Sequence, residues 1–545
     1  MSFFTPKFLW QKFSPLNRAL LWIALITWLY ILYINGIGNN PPGFYLDESA
    51  IAYNAYKIYQ TGRGEFGDFF PLFFPFFPLP PPYYFLAYGN PVYIYLHALL
   101  YFVFPPSILL SRLFSATAGF FAALLLGTLG WRISLQLRIG MIVALTALTT
   151  PCLFELSRLV FEAALYPLAL VLFLSALYNA HRKERWSLLD IIMLAITLCL
   201  LTYTYSIGRI MAPLFAIGLL FFAGNFKRLK DIIKVWIGYG LTLIPLLMLI
   251  LNHPEVITQR FDALSYIRPG KSFWEISAQF ITNYAQAISL RCLLFSGDLN
   301  LRHHIPEMGL IYAATFVLAL MGIFIVLIYH FKNPWWRFIL YGMVVSVVPS
   351  ALTVDPIHML RLIALPIFLI VLTVPGLMWL LNNVQNELVE SKLLSFAFSA
   401  SIFRLSFVTS ILALLRKSFA SRLVRRSTFV SLLILTMLQI VFFQIYFRQI
   451  GLSRGPWFDE AYPRVLAAAL ASPNRPIYLV DGYWGQAYIH AYWYATIEGI
   501  DLSNFVHIPY EQRPPADSIV ISTEENCTNC EMILKEDKFL LYRSR

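Results

Sequence analysis

The sequence predicts an α-helical polytopic membrane protein with about 11 transmembrane helices and a small C-terminal α/β module. Three observations predict it. Of 545 residues, 59% are hydrophobic and only 13% are charged, which excludes an ordinary soluble protein. The apolar residues gather in runs able to cross a bilayer core of about 30 Å, which takes roughly 20 helical residues. Basic residues recur between alternate runs, as they do on the cytosolic side of polytopic proteins. The net charge of +12 is therefore read as a topology signal rather than as a nucleic-acid footprint.

The first run, Ala19 to Asn35, follows Lys7, Lys12 and Arg18 and reads as a signal anchor whose amino end stays in the cytosol. Ten further runs fall near residues 107–131, 139–153, 164–180, 188–205, 210–224, 232–251, 309–329, 338–350, 362–381 and 428–447. The inside loops then carry Arg132 and Arg138; Arg182, Lys183 and Arg185; Lys227, Arg228, Lys230 and Lys234; Lys332 and Arg337; and the basic stretch from Lys392 to Arg426. The short outside loops carry one basic residue each: Arg158, Arg209 and Arg361. This alternation requires that Pro91 to Phe104, too short to span, lies at the interface or re-enters. Residues 393–415, apolar around Arg404, read as an interfacial helix or hairpin inside.

The predicted organisation is a membrane domain (1–447) and an extracytoplasmic module (448–545). The membrane domain includes a first outer loop (36–106), a long outer loop (252–308) and a cytosolic basic segment (382–427). In the module, strand-like runs (476–481, 517–522, 538–542) alternate with helical ones (457–471, 486–497). Cys527 and Cys530 form a single CxxC with no second pair for zinc, so a local disulfide or two idle thiols is expected. Cys152, Cys199 and Cys292 lie in or near apolar runs and read as packing residues.

Rare polar residues gather on the side assigned as outer. Asp47 and Glu48 follow the Pro41-Pro42-Gly43 turn, where a helix start favours carboxylates; the plain reading is an N-cap, the functional one a base beside the membrane. Residues 69–85 hold six prolines among aromatics, which excludes a regular helix and suits a surface segment that guides a lipid tail or covers the bundle as a lid. Glu155, Arg158 and Glu162 stand between two apolar runs, either as a local ion pair or as an acid holding acceptor or metal while Arg158 contacts phosphate. Two further loops offer Asp298, Arg302, His303, His304 and Glu307, and Asp355, His358 and Arg361, with Tyr205 and Arg209 nearby. Arginine forks suit phosphate. The adjacent His303 and His304 lack metal-ligand spacing, and His303 reads as a solvated loop residue.

The order of Leu46-Asp47-Glu48, Gly89-Asn90-Pro91-Val92-Tyr93-Ile94-Tyr95-Leu96, Ser111-Arg112 through Ala116, and Ser157-Arg158 with Glu162 resembles the GT-C class of integral-membrane glycosyltransferases. Within that class it is similar to protein O-mannosyltransferases and lipid A aminoarabinose transferases. The resemblance covers about residues 15–380. It implies inverting sugar transfer from a polyprenyl-phosphate donor to a lipid, glycan or protein acceptor. Carried onto this chain, Asp47 would be the general base and Glu48 its support. Arg158, Arg209, Arg302 and Arg361 would meet the donor phosphate, backed by His304 and His358, with Tyr93 in the substrate motif. Glu162 stands where the family often has aspartate, as an acceptor or metal contact. The loop acids could hold one divalent metal ion, with Asp47, Glu155 and Glu162 as the candidates, although no ligand set declares itself and no other cofactor is indicated.

The expected setting is a multi-pass protein of a prokaryotic plasma membrane, in contact with membrane lipids and not nucleic acid, with its active site on the extracytoplasmic face. A polytopic transporter or lipid flippase is the rival reading, which calls for inverted repeats and polar residues at midplane. No convincing repeat is found, and no glycine-rich phosphate loop supports a cytosolic nucleotide sugar.

Overall fold

The computed structural model describes residues 14–78, 86–254, 264–381, 422–482, 485–509, 512–523 and 530–545. The expected segment 393–415 and Cys527 lie outside them. A helix occupies each of the eleven apolar runs. By length and composition, Pro15–Ile34, Ile108–Ser134, Glu162–His181, Ala313–His330 and Leu423–Leu452 are able to cross a membrane. Phe226–Thr242 and Ile244–Asn252 make a sixth span bent by 42°. The bend falls within the run expected over 232–251: Pro245 cannot donate to the preceding turn and breaks the ladder. Leu137–Thr149, Leu188–Thr204, Gly208–Phe222 and Leu365–Leu381 are shorter apolar helices of the same bundle. Pro91–Leu100, ten residues long, rises only about 15 Å and is too short to cross.

Close helix approach, rather than polar contact, builds the bundle, as expected where lipid offers no hydrophobic gain. Ile108–Ser134 and Leu137–Thr149 meet through small residues: a Cβ on Gly127 would stand 2.6 Å from Ala144 Cβ and 2.7 Å from Gly140 O. A Cβ on Gly322 would stand 1.6 Å from Leu372 O, so Ala313–Ile325 lies directly against the backbone of Leu365–Leu381. The latter helix carries no charge and is buried along most of its length, as the centre of the bundle.

Within the Pro-rich segment, expected to lack regular helix and to lie on the surface as a lipid guide or a lid, β1 (Phe74–Pro78) pairs antiparallel with β2 (Leu86–Gly89). The C-terminal module is a five-stranded sheet in the order β4-β3-β5-β7-β6. Its strands are β3 (Ile477–Val480), β4 (Phe505–Ile508), β5 (Ile519–Ser522), β6 (Cys530–Glu536) and β7 (Phe539–Ser544). β3 runs parallel to β4 and β5, while β7 is antiparallel to β5 and β6. Helices Tyr462–Ala471 and Ala487–Glu498 pack on it. Cys530 is disulfide-bonded, whereas Cys152, Cys199 and Cys292 are free thiols.

The module shares one hydrophobic core with the first long loop: Phe44, Tyr53 and Ile94 pack with Tyr462, Trp493 and Phe539. Phe44 stacks on Trp493 at 5.7 Å, and Tyr53 meets Tyr492 at 5.6 Å. The module is thus a wall of the loop layer.

Gly127→Val forces a branched side chain against the Gly140 backbone and is expected to cost about 1–3 kcal/mol. Thermal unfolding in detergent should show a lowered midpoint; an unchanged midpoint would mean that this crossing is loosely packed.

Candidate active site

Helix Leu46–Thr61 begins at the Pro41-Pro42-Gly43 turn, with Glu48 in its first turn. The Glu48 carboxylate accepts hydrogen bonds from Tyr45 N (2.9 Å) and Val160 N (3.0 Å). It also pairs with Arg112 Nη2 at 3.1 Å, both side chains being fully buried. Arg112, from the Ile108–Ser134 helix, donates further to Pro41 O (2.6 Å) and Gly43 O (2.7 Å). Glu48, at zero exposure, thereby ties the turn that carries Asp47 to the second loop and to the Ile108–Ser134 helix. Asp47, on the adjacent direction of the same turn, is only partly buried.

Beside Asp47 stands Tyr45. Arg302 hydrogen-bonds the Tyr45 hydroxyl through Nη1, and its guanidinium lies 4.6 Å from the ring centre. Burial, then the Asp47 carboxylate, push the Tyr45 hydroxyl above its ordinary range, so it is a neutral hydroxyl. Phe161 joins the loops, edge-on to Tyr45 at 6.2 Å and to His303 at 6.5 Å.

Asp298 orders the next wall. Its carboxylate accepts from Asn300 N (2.9 Å) and Met359 N (2.9 Å), lies 2.8 Å from His303 Nδ1, and stands 4.0 Å from His358 Nδ1. Burial raises the Asp298 carboxyl, but the hydrogen bond and charge of His303, then His358, outweigh it and hold the group well below its usual range. Burial lowers both His358 and His304, the latter to about 4, so His304 is a neutral imidazole at pH 7. Arg361 donates to Thr353 Oγ1 (2.8 Å) and sits under this wall, mostly buried.

A second network flanks the first. Glu162 accepts from the backbone and side-chain nitrogens of Asn90, and Arg209 Nη2 donates to Asn90 Oδ1 at 2.8 Å. Arg209 also covers the Phe73 ring at 4.7 Å. Tyr93 packs inside, its hydroxyl 2.6 Å from Ser115 Oγ and at zero exposure.

Two expected roles take another geometry. Arg158 is turned inward: Nη2 donates to Tyr33 O (2.6 Å) and Asn35 O (3.1 Å), and the guanidinium covers Phe154 at 4.4 Å. It secures the end of the first span, so a donor phosphate would have to displace these carbonyls. No Arg158 ion pair with Glu155 or Glu162 forms either, since Glu155 pairs with Arg454 at 3.5 Å and Glu162 with Asn90. His303, expected in solvent, is 4% exposed and holds Asp298. Among the described residues, Asp298, His303 and His358 form a group of three side chains whose ligand atoms lie within 4.8 Å of one another and could hold a metal ion.

Arg112 was quoted in the motif of the second span but given no role, and Arg454 was not singled out. Arg112 had a signal, being a charge inside an apolar run, where such residues are costly and paired. Arg454 had none, because its partners Glu155 and Leu301 O lie 299 and 153 residues away.

No protein-family description matches this sequence, and no curated protein is similar to it. Solved structures are similar in fold. The apo structure of ArnT from Cupriavidus metallidurans superposes with a TM-score of 0.55 at 11% identity, covering 96% of this chain and 98% of that one. The same protein bound to undecaprenyl phosphate gives 0.54 at 10% identity, with 97% and 98% covered. The fold of this chain is therefore ArnT-like over nearly its whole length, module included.

Burial raises the Glu155 carboxyl from 4.5 to about 8, moderated by Arg454 and a hydrogen bond from Ile305. Because the folded value exceeds the ordinary one, this group's contribution to stability is complete below pH 4.5 and is lost as pH rises to about 8. Glu155→Gln is expected to flatten that part of the thermal midpoint against pH; an unaltered slope would assign it to another group.

Proposed function

We propose that this chain is a membrane glycosyltransferase. It moves a sugar from a polyprenyl-phosphate donor to a lipid, glycan or protein acceptor, with inversion, on the extracytoplasmic face of a prokaryotic plasma membrane. The observation that carries the reading is Asp47: a partly exposed carboxylate on a helix turn whose neighbour Glu48 is locked by Arg112, beside the Tyr45 hydroxyl that Arg302 hydrogen-bonds. The fold shared with a transferase solved with undecaprenyl phosphate supports the donor class.

The chemistry asks for such an arrangement. A glycosyl phosphate has a good leaving group, so the protein must deprotonate the attacking hydroxyl and stabilise the charge growing on the departing phosphate. In this reading Asp47 takes the proton, while Arg302, Arg361 and Arg209 offer guanidinium donors to the phosphate. Tyr45 supplies a hydroxyl at the junction. One displacement from the opposite face inverts the anomeric carbon, so no carboxylate nucleophile is needed. The place for a divalent ion is the group of Asp298, His303 and His358, where it would offset phosphate charge.

Asp47→Asn is expected to lower donor consumption by at least about 100-fold, the lower range for loss of a general base, with an unchanged thermal midpoint. Wild type and variant would be incubated with short-chain polyprenyl-phosphate sugars and followed by mass spectrometry. Equal consumption would remove Asp47 as base, and passage of the lipid across liposomes without transfer would replace the enzyme by a flippase. Zn2+ returned to chelator-treated protein should bind at one site and be lost in His303→Ala, measured by elemental mass spectrometry; undiminished binding in the variant would place the ion elsewhere.

A further inference from the structure

Asp47 lies next to two fully buried residues that are held from different sides. Successive helical side chains point about 100° apart, so fixing the two that follow Asp47 fixes its direction as well. Glu48 is fixed from the membrane bundle, through Arg112 and Val160 N. Ser49 is fixed from the C-terminal module: its hydroxyl stands 3.0 Å from Nδ1 of His490, in helix Ala487–Glu498. The chain continues, with His490 Nε2 3.0 Å from Asp459 Oδ2 and Lys538 Nζ 2.6 Å from Asp459 Oδ1. Burial raises the Asp459 carboxyl, but His490 and Lys538 more than offset it and keep the group below its usual value.

Serine, histidine and aspartate in this order resemble a hydrolase triad. Here they cannot act as one: Ser49 and Asp459 have zero exposure and His490 has 1%, so no carbonyl reaches the hydroxyl. A satisfied buried polar chain instead fixes a unique arrangement of the elements that it joins. The surroundings point the same way. Gly43, with φ of +73°, passes so close to the module that a Cβ there would stand 2.3 Å from Phe458 O. The turn before Asp47 thus rests on the segment that bears Asp459.

We propose that His490 is a positioning residue for Asp47: through Ser49, the C-terminal module sets the aim of the base. The inference rests on the reading of Asp47 given above. It makes the module part of the transfer step, and a donor bound in the bundle meets a base aimed from the far end of the chain.

Two substitutions separate the ends of the strut. His490→Gln keeps an amide near the Nε2 position, toward Asp459, and releases Ser49; His490→Asn keeps one near Nδ1, toward Ser49. With the polyprenyl-phosphate sugar that wild type consumes, His490→Gln is expected to lower kcat by about 100-fold, the effect of misaligning a reacting group by about 1 Å, with donor KM and thermal midpoint unchanged. His490→Asn should restore most of the rate. Without any donor, hydrogen exchange at the amides of residues 45–50 should quicken in His490→Gln and not in His490→Asn. Wild-type kcat in His490→Gln, or wild-type exchange at 45–50, overturns the inference, as does a rate that falls equally in both variants together with the midpoint. Asp47→Asn run in parallel separates the two ideas. If it is inactive while His490→Gln is normal, the base stands and the strut falls; if it turns over, the base reading falls and the strut with it.

Discussion

The buried pair of Glu48 and Arg112 is the constraint on which the loop layer depends. Two opposite charges at zero exposure stay together because separating them would leave one unpaired in a medium that solvates it poorly; removing either partner of such a pair costs about 3–5 kcal/mol. What the pair organises matters more than its own strength. One carboxylate closes the helix start at Tyr45 and holds the backbone at Val160, while one guanidinium collects the carbonyls of Pro41 and Gly43. The first loop, the second loop and the Ile108–Ser134 helix are thereby registered against one another at a single point, and Asp47 is carried on that point.

Around it the cationic side chains divide by environment. Arg158 and Arg112 are spent on backbone carbonyls and aromatic faces, and they fix where loops leave the bundle. Arg302 and Arg209 are only partly buried; Arg302 donates to a tyrosine hydroxyl and Arg209 to the side chain of Asn90, which Glu162 holds in turn. Position along the chain does not distinguish the two groups, since each has members at loop edges.

Much of this was legible in the sequence, for reasons that can be named. The eleven apolar runs each coincide with helix among the described residues, because a lipid environment forces long apolar helical runs. The strand runs at 476–481, 517–522 and 538–542 became the three inner strands β3, β5 and β7 of the module's sheet, which are buried and therefore apolar. The edge strands β4 and β6 were missed: half-exposed, with His507, Glu531 and Lys535 among their residues, they have no apolar run to show. β1 was hidden by its own prolines, which an edge pairing tolerates. At the site, Asp47 stood out by its place after the first span. The role of Arg158 did not, because it is decided by carbonyls on another segment, those of Tyr33 and Asn35; His303 pairs with Asp298 in its own loop, and the packing of His358 from a distant loop helps to bury it.

The contact between Ser49 and His490 joins residues 441 positions apart. During synthesis the first loop therefore waits, its aromatic face uncovered, until the last hundred or so residues have emerged and folded, since domains form roughly in the order that they are made. The Glu48–Arg112 pair, whose partners lie 64 residues apart, is thus able to form well before the Ser49–His490 contact that ties the same helix turn to the module.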